Sequence, residues 1–213
     1  MELIKQNSQT RIFKSLIVIF LGSILLAISA KLKIPFYPVP MTMQTFVVLF
    51  LGSIILTISA KVKIPFYPVP MTMQTFVVLF LGLSFGYKIG LATISLYLIE
   101  GIVGLPVFSN SPERGVGLVY FTGPTMGYLI GFITACFFAS FVKKEDNYFL
   151  VFVKLVLSVS TIYLLGVIWL GTVIGWEKPI IELGVKPFLL AESFKIILLT
   201  ILAKKIIKLR KLI

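Results

Sequence analysis

Long apolar stretches separated by short segments rich in proline, glycine and charged residues dominate the pattern of this chain. A helix that crosses a bilayer needs about 20 predominantly apolar residues, with a range of about 17–25. The pattern predicts membrane-spanning helices at 12–30, 45–63, 75–87, 89–105, 124–142, 150–174 and 188–207. The chain is therefore predicted to be an all-α, multi-pass integral membrane protein.

A tandem repeat of 30 residues complicates this helix count. Residues 21–50 and 51–80 differ only at the position pairs Leu25/Ile55, Ala27/Thr57 and Leu32/Val62. Such near identity, found twice and then ending, indicates a recent in-frame duplication rather than a solenoid. Removing one copy leaves six spans and places both basic termini on the same side of the membrane. We predict a six-helix bundle plus one extra helix, within a single transmembrane domain over 1–213.

Composition and charge support the membrane class. Hydrophobic residues make up 58% of the chain and charged residues 13%, whereas a soluble domain carries about 25% charged residues. The net charge is +12, but the basic residues follow the ends of apolar runs, as they do on the cytoplasmic side of membrane proteins. Lipid is therefore the expected surrounding, and nucleic acid is not an expected partner.

The sequence lacks several features that many enzymes use. The chain has no histidine and a single cysteine, Cys136, inside an apolar run. It also has no glycine-rich phosphate-binding loop of the kind that ends in Lys-Ser/Thr. We predict that the protein is not an enzyme, holds no metal or cofactor, and takes energy for any transport from another subunit or from an ion gradient.

The most informative candidate site is a charged pair in the last apolar run. Glu192 and Lys195 lie in the segment PFLLAESFKIILLTIL, where each charge costs at least about 2.5–3.5 kcal/mol on insertion scales. Their i, i+3 spacing places them on one helix face. The carboxylate is suited to accept N–H donors from a ligand, and the ammonium to neutralise a ligand carboxylate. The alternative is an ion pair that only packs the bundle.

Four further residues are candidate ligand contacts. Gln74 offers an amide donor and acceptor, with a turn or capping role as the alternative. Asn110 and Arg114 lie in the long loop after Pro106, where Arg114 is either a gate or anion contact or an ordinary exposed arginine. Tyr128 is suited to stack on a ligand ring, although interface aromatics are common in membrane proteins.

Five ordered motifs carry a resemblance to a known family. They are IPFYPVPMTMQTFVVLFLG, GLPVF, GPTMGYLIGF, YLLGVIWL and PFLLAESFK. In order and spacing they resemble the BioY family, the biotin-binding S components of energy-coupling-factor (ECF) transporters. The resemblance implies a six-helix bundle in the bacterial plasma membrane, with biotin in a pocket capped by outer loops. It also implies two kinds of partner, a transmembrane coupling protein and two cytoplasmic ATPases.

The resemblance also has implications for individual residues. The last helix of the family usually carries an Asp and, three residues later, a Lys that contact the ligand. Lys195 matches this pattern and Glu192 replaces the Asp, while the usually glycine-rich loop after GLPVF reads SNSPERGVG. The function implied is capture of biotin for ATP-driven import. Two alternatives are a stand-alone secondary transporter of a small vitamin-like molecule and a non-functional duplicate.

Overall fold

The computed structural model describes residues 33–34, 41–64 and 67–212, and their side chains over 45–64 and 67–210. The predicted span 12–30 lies outside the described residues. Contacts divide the chain into two compact units, residues 1–48 and residues 49–213. All cavities and side-chain contacts discussed below belong to the second unit, so a single domain over the whole chain stays a prediction.

Each repeat copy contributes a short antiparallel hairpin on its proline-rich segment. The strands are β1 (Lys33–Ile34), β2 (Met41–Thr42), β3 (Lys63–Ile64) and β4 (Met71–Thr72). Lys33 lies opposite Thr42 in the first hairpin and Lys63 lies opposite Thr72 in the second. The two copies thus fold with the same register. These hairpins were not predicted, because two-residue strands leave no hydrophobic alternation in a sequence.

Helices account for most of the remaining chain. They are α1 (Met43–Lys61), α2 (Gln74–Ile102), α3 (Met126–Ala139), α4 (Tyr148–Ile174), α5 (Ile180–Gly184) and α6 (Leu189–Ile206). Short 3₁₀ helices cover Gly117–Thr122, Lys186–Phe188 and Ile207–Leu212. Every predicted apolar span from residue 45 onward contains one of the longer helical segments.

Helix α2 is interrupted at Gly86. This residue has φ 74° and ψ −177°, a conformation that glycine adopts without the steric cost of a Cβ atom. The carbonyls that lose helical partners near the break are satisfied by Arg210, which donates to the oxygens of Leu83 and Gly82 at 2.8 and 3.1 Å. The predicted boundary between the spans 75–87 and 89–105 therefore corresponds to a break at a single residue, and a second helical segment begins directly after it.

The outer surface of the described helices is strongly apolar. Leu190, Val103 and Phe149 are 85%, 77% and 75% exposed, and many other large apolar side chains also face outward. Within the described ranges, two helices, Gln74–Ile102 and Tyr148–Ile174, are long and apolar enough to cross a membrane. Soluble monomers rarely expose apolar patches this large, so lipid is the solvent that suits this surface.

Close packing of α3 against α4 fixes the interior wall of the bundle. A Cβ atom on Gly131 would lie 2.6 Å from the Cα atom of Ile162, and one on Gly166 would lie 2.4 Å from the ring of Tyr128. Small residues allow helices in membranes to approach closely. Here they also leave a slot for the ring of Tyr128, which is 7% exposed, at the edge of the cavity described next.

Candidate ligand-binding site

An internal cavity of about 60 Å³ lies near the N-terminal ends of α2, α3 and α6. This volume is several times what one water molecule requires. Its walls are Val69, Pro70, Met71, Thr72, Gln74, Thr75, Ser109, Tyr120, Thr125, Tyr128, Leu129, Phe132, Ile162, Tyr163, Phe188 and Glu192. Aromatic and aliphatic surface with a few polar groups is the usual lining of a small-molecule site.

Glu192 supplies the carboxylate of this cavity. The residue is 5% exposed, and its Oε1 accepts a hydrogen bond of 2.8 Å from Lys195. Its Oε2 is buried and makes no hydrogen bond of normal geometry within the described part of the chain, although the hydroxyl of Tyr163 lies near the carboxylate and interacts with it. A buried charged oxygen without a partner is costly, so this atom marks a place where a ligand N–H is favoured.

Lys195 lies behind Glu192 rather than on the cavity wall. Its ammonium donates to Glu192 and, at 2.7 Å, to the main-chain oxygen of Thr72 in β4. The predicted pairing of Glu192 with Lys195 is therefore present as a contact. The structure directs the ammonium to the hairpin, and does not bring it into the cavity where a ligand carboxylate would meet it.

Gln74 lines the cavity, but both ends of its amide are already engaged. Nε2 donates to the hydroxyl of Tyr97 at 2.6 Å, and Oε1 accepts from the hydroxyl of Thr72 at 3.3 Å. The hydroxyl of Tyr97 in turn donates to the carbonyl of Val107 at 3.2 Å. Gln74 thus connects the start of α2 to the loop that follows it, which is a positioning role.

Two tyrosines form an aromatic corner of the cavity. Tyr128 donates from its hydroxyl to the carbonyl of Gly184 at 2.9 Å, which fixes the ring. Tyr163 lies against it with ring centroids 6.0 Å apart and an interplanar angle of 85°. This edge-to-face arrangement is favourable for aromatic pairs, and both residues line the cavity.

The two loop candidates lie away from the inner cavity. Asn110 has φ 60°, and its Oδ1 accepts a hydrogen bond from the ammonium of Lys63. Arg114 lines a neighbouring outer cavity of about 500 Å³ and donates to the carbonyl of Pro68 at 2.6 Å. Tyr120 and Thr125 line both cavities, so the two cavities share part of their walls.

Of the predicted contacts, the inner cavity therefore brings together Glu192, Gln74 and Tyr128. The prediction did not include Ser109, Thr125, Tyr163 or Phe188, which also line it. Phe188 and Tyr163 are ordinary apolar-helix residues in the sequence and carry no distinguishing signal. Ser109 follows the GLPVF motif directly, and this position next to a family motif was the available clue.

A helical bundle with an apolar outer surface and an aromatic and acidic cavity defines a membrane protein that binds a small molecule. No cluster of three or more metal-ligating side chains occurs among the residues whose structure is described. The sequence model of the BioY family matches residues 4–56 and 50–212. The chain belongs to the BioY family, as its motifs predicted, and the two overlapping matches correspond to the duplication.

Similar proteins agree on this assignment. A protein of Pyrococcus horikoshii described as a probable biotin transporter BioY is 33% identical over 192 residues, covering 90% of this chain and 94% of that protein. The biotin transporter BioY of Thermotoga maritima is 30% identical over 186 residues, covering 87% of this chain and 90% of that protein. Both relatives are transporters, which agrees with the prediction that this chain is not an enzyme.

A solved structure shows the same fold. The S-component for biotin from an ECF-type ABC transporter superposes with a TM-score of 0.66 at 23% identity, covering 78% of this chain and 91% of that one. The chain therefore has the fold of an ECF S-component.

Proposed function

We propose that this protein is the membrane subunit that captures biotin for import. The observation that carries the proposal is the buried, partnerless Oε2 of Glu192 on the wall of an aromatic cavity. Biotin has a ureido ring with two N–H groups, a thioether ring and a carboxylate tail. An ionised carboxylate accepts N–H donors, and the names of the BioY relatives in two organisms support the same ligand.

The described residues suggest how each part of biotin is held. Glu192 accepts a ureido N–H, and the rings of Tyr128 and Tyr163 pack against the fused rings of the ligand. The ammonium of Lys195 is occupied by Glu192 and Thr72, so it orients the acceptor instead of meeting the tail. Arg114 in the outer cavity is the cation that the carboxylate tail reaches, since guanidinium and carboxylate match geometrically.

The working bundle consists of six helices, and the second repeat copy supplies its hairpin. Val69 and Pro70 of this copy are buried against the cavity, and the family match over 50–212 begins within α1. The first copy contributes the extra helix. If this extra helix does not cross the membrane, both basic ends of the chain face the cytoplasm of a bacterial cell, as the positive-inside pattern requires.

ATP-driven import requires partners, because the sequence has no phosphate-binding loop of its own. The partners that the family resemblance implies are a transmembrane coupling protein and two cytoplasmic ATPases. The description of the solved S-component as part of an ECF-type ABC transporter supports a partner that hydrolyses ATP. The competing function is a stand-alone secondary transporter, which needs no ATPase.

Uptake of labelled biotin separates these two functions. The chain is expressed in a biotin-requiring bacterial host without its own biotin transporter, alone or together with an ECF coupling protein and its ATPases. We expect uptake that depends on the added module and is lost when the ATPases carry inactive phosphate-binding loops. Equal uptake without the module would identify a stand-alone transporter, and no uptake in either case would contradict import.

A further inference from the structure

We infer that the hydroxyl of Ser109 is a specificity-determining contact that donates a hydrogen bond to the carbonyl oxygen of the ureido ring. This inference rests on the proposed function, because it assigns a partner to one atom of biotin. It adds to the site a residue that is not among the predicted ligand contacts.

The first observation is the state of the Ser109 side chain. The residue is 5% exposed and lines the inner cavity. Its Oγ is buried and has no hydrogen-bond partner among the described residues. Oε2 of Glu192 is the other buried side-chain atom in this state over the same residues. Two buried polar atoms without partners therefore belong to residues that line one cavity.

The second observation explains why Ser109 lacks a local partner. A serine hydroxyl commonly donates to a nearby main-chain carbonyl, as Ser111 does to the carbonyl of Phe108 at 2.7 Å. The carbonyl of Phe108 also accepts from Lys61 at 3.0 Å, and the carbonyl of Val107 accepts from Tyr97. The carbonyls of the two preceding residues thus already accept other hydrogen bonds, and the hydroxyl of Ser109 donates to neither.

The third observation is that the backbone carrying Ser109 is held on several sides. Tyr120 donates to the carbonyl of Ser109 itself at 2.6 Å. Tyr97 and Lys61 hold the two preceding carbonyls, and the ring of Phe108 stacks on Tyr120 with centroids 4.7 Å apart. A polar group on such a fixed segment is pre-organised, so little freedom is lost when a ligand binds.

The chemistry of the two partnerless atoms is complementary to a cyclic urea. An ionised carboxylate only accepts hydrogen bonds, whereas a hydroxyl also donates. A ureido group carries N–H donors beside a carbonyl acceptor. The carboxylate of Glu192 accepts a hydrogen bond from a ureido N–H, and the hydroxyl of Ser109 donates one to the ureido carbonyl. Both buried atoms therefore gain a partner from one end of the ligand.

The test compares two ligands on wild-type protein and the Ser109→Ala variant. Biotin carries the ureido oxygen, and 2-iminobiotin replaces it with a nitrogen that is protonated at neutral pH and cannot accept. The loss of one hydrogen bond corresponds to an affinity change of about 3- to 12-fold. We expect Ser109→Ala to weaken the binding of biotin by about that factor and the binding of 2-iminobiotin by less than about twofold.

The ratio of the two affinities is measured on one preparation, so a partly unfolded variant does not change it. Ser193→Ala is the matched control, because its hydroxyl is exposed and donates to Leu189 within α6. We expect the ratio of this control to equal that of the wild type. The inference would be overturned if the ratio of the two affinities in Ser109→Ala equalled that of the wild type, as it would if the variant weakened the binding of both ligands equally. Wild-type protein that binds no biotin at all would instead overturn the proposed function.

Discussion

The ammonium of Lys195 donates a hydrogen bond of 2.7 Å to the main-chain oxygen of Thr72, 123 positions earlier in the chain. The same ammonium lies 2.8 Å from Oε1 of Glu192. One buried cation therefore connects the last helix to strand β4 and orients the carboxylate of the cavity. Because both contacts are made to protein atoms, we propose that Lys195 acts through Glu192 and through the hairpin.

Replacing Lys195 tests this positioning role. Removing one partner of a buried ion pair leaves an uncompensated charge, which costs about 3–5 kcal/mol. We expect Lys195→Ala to weaken biotin binding at least about tenfold while the protein still inserts into the membrane. Lys186→Ala is the matched control, because Lys186 pairs with Glu182 across an exposed surface. An unchanged biotin affinity in Lys195→Ala would mean that the pair only packs the bundle.

Arg114 provides a second test, of the loop contact over the outer cavity. Its guanidinium donates to the carbonyl of Pro68 at 2.6 Å, and hydrogen bonds from charged groups contribute about 1.5–3 kcal/mol. We expect Arg114→Ala to raise the dissociation rate of biotin at least about tenfold, measured by displacement of labelled ligand. The control, Lys178→Ala, removes an exposed charge from the loop after α4. Equal dissociation rates in wild type and Arg114→Ala would contradict this role.

The duplication leads to a third prediction. Deleting 51–80 or deleting 21–50 leaves one complete repeat copy, and the two shortened chains differ only at the three substituted positions. We expect both shortened proteins to bind biotin with the affinity of the full chain. The measurement is equilibrium binding to each purified protein. Loss of binding in a shortened protein that still inserts would show that the extra segment belongs to the site.

The loop between α3 and α4 offers a test of stability against pH. Burial raises the pKa of Asp146, but the backbone N–H of Lys143 and the ammonium of Lys154, 2.6 Å away, lower it by more, to below its usual 3.8. A lowered folded-state pKa contributes stability above the unfolded-state pKa, and this stability is lost as the pH falls through the folded-state value.

The variant Asp146→Asn tests this dependence of stability on pH. Near-surface ion pairs contribute up to about 1 kcal/mol, which corresponds to about 2–4 °C in Tm for a chain of this size. We expect Asp146→Asn to lower Tm by up to that amount at neutral pH, with the difference shrinking as the pH falls below about 3.9. Glu145→Gln, an exposed neighbour, is the control. A Tm difference that does not depend on pH would contradict the electrostatic origin.

The sequence predicted the helices well, because a long apolar run needs no information from elsewhere in the chain. The boundary predicted between the spans 75–87 and 89–105 lies within two residues of the break in α2 at Gly86. The pairing of Glu192 with Lys195 was predictable, since their i, i+3 spacing is local. The family motifs correctly predicted the BioY family.

Other features of the site depend on contacts between distant segments. The bond from Lys195 to Thr72 joins residues 123 positions apart, and no local pattern indicates it. The partnerless hydroxyl of Ser109 depends on which neighbouring carbonyls Tyr97, Lys61 and Ser111 already occupy. The hairpins have only two residues per strand, which is too short for an alternating pattern to appear.

Equilibrium binding of labelled biotin to the purified full-length protein tests the central claim most directly. Glu182→Gln serves as the control for Glu192→Gln, because both substitutions remove one carboxylate charge and Glu182 is exposed. We expect saturable binding at submicromolar biotin in the wild type and in Glu182→Gln, with clearly weaker binding in Glu192→Gln. Absence of saturable binding in the wild type would contradict biotin capture.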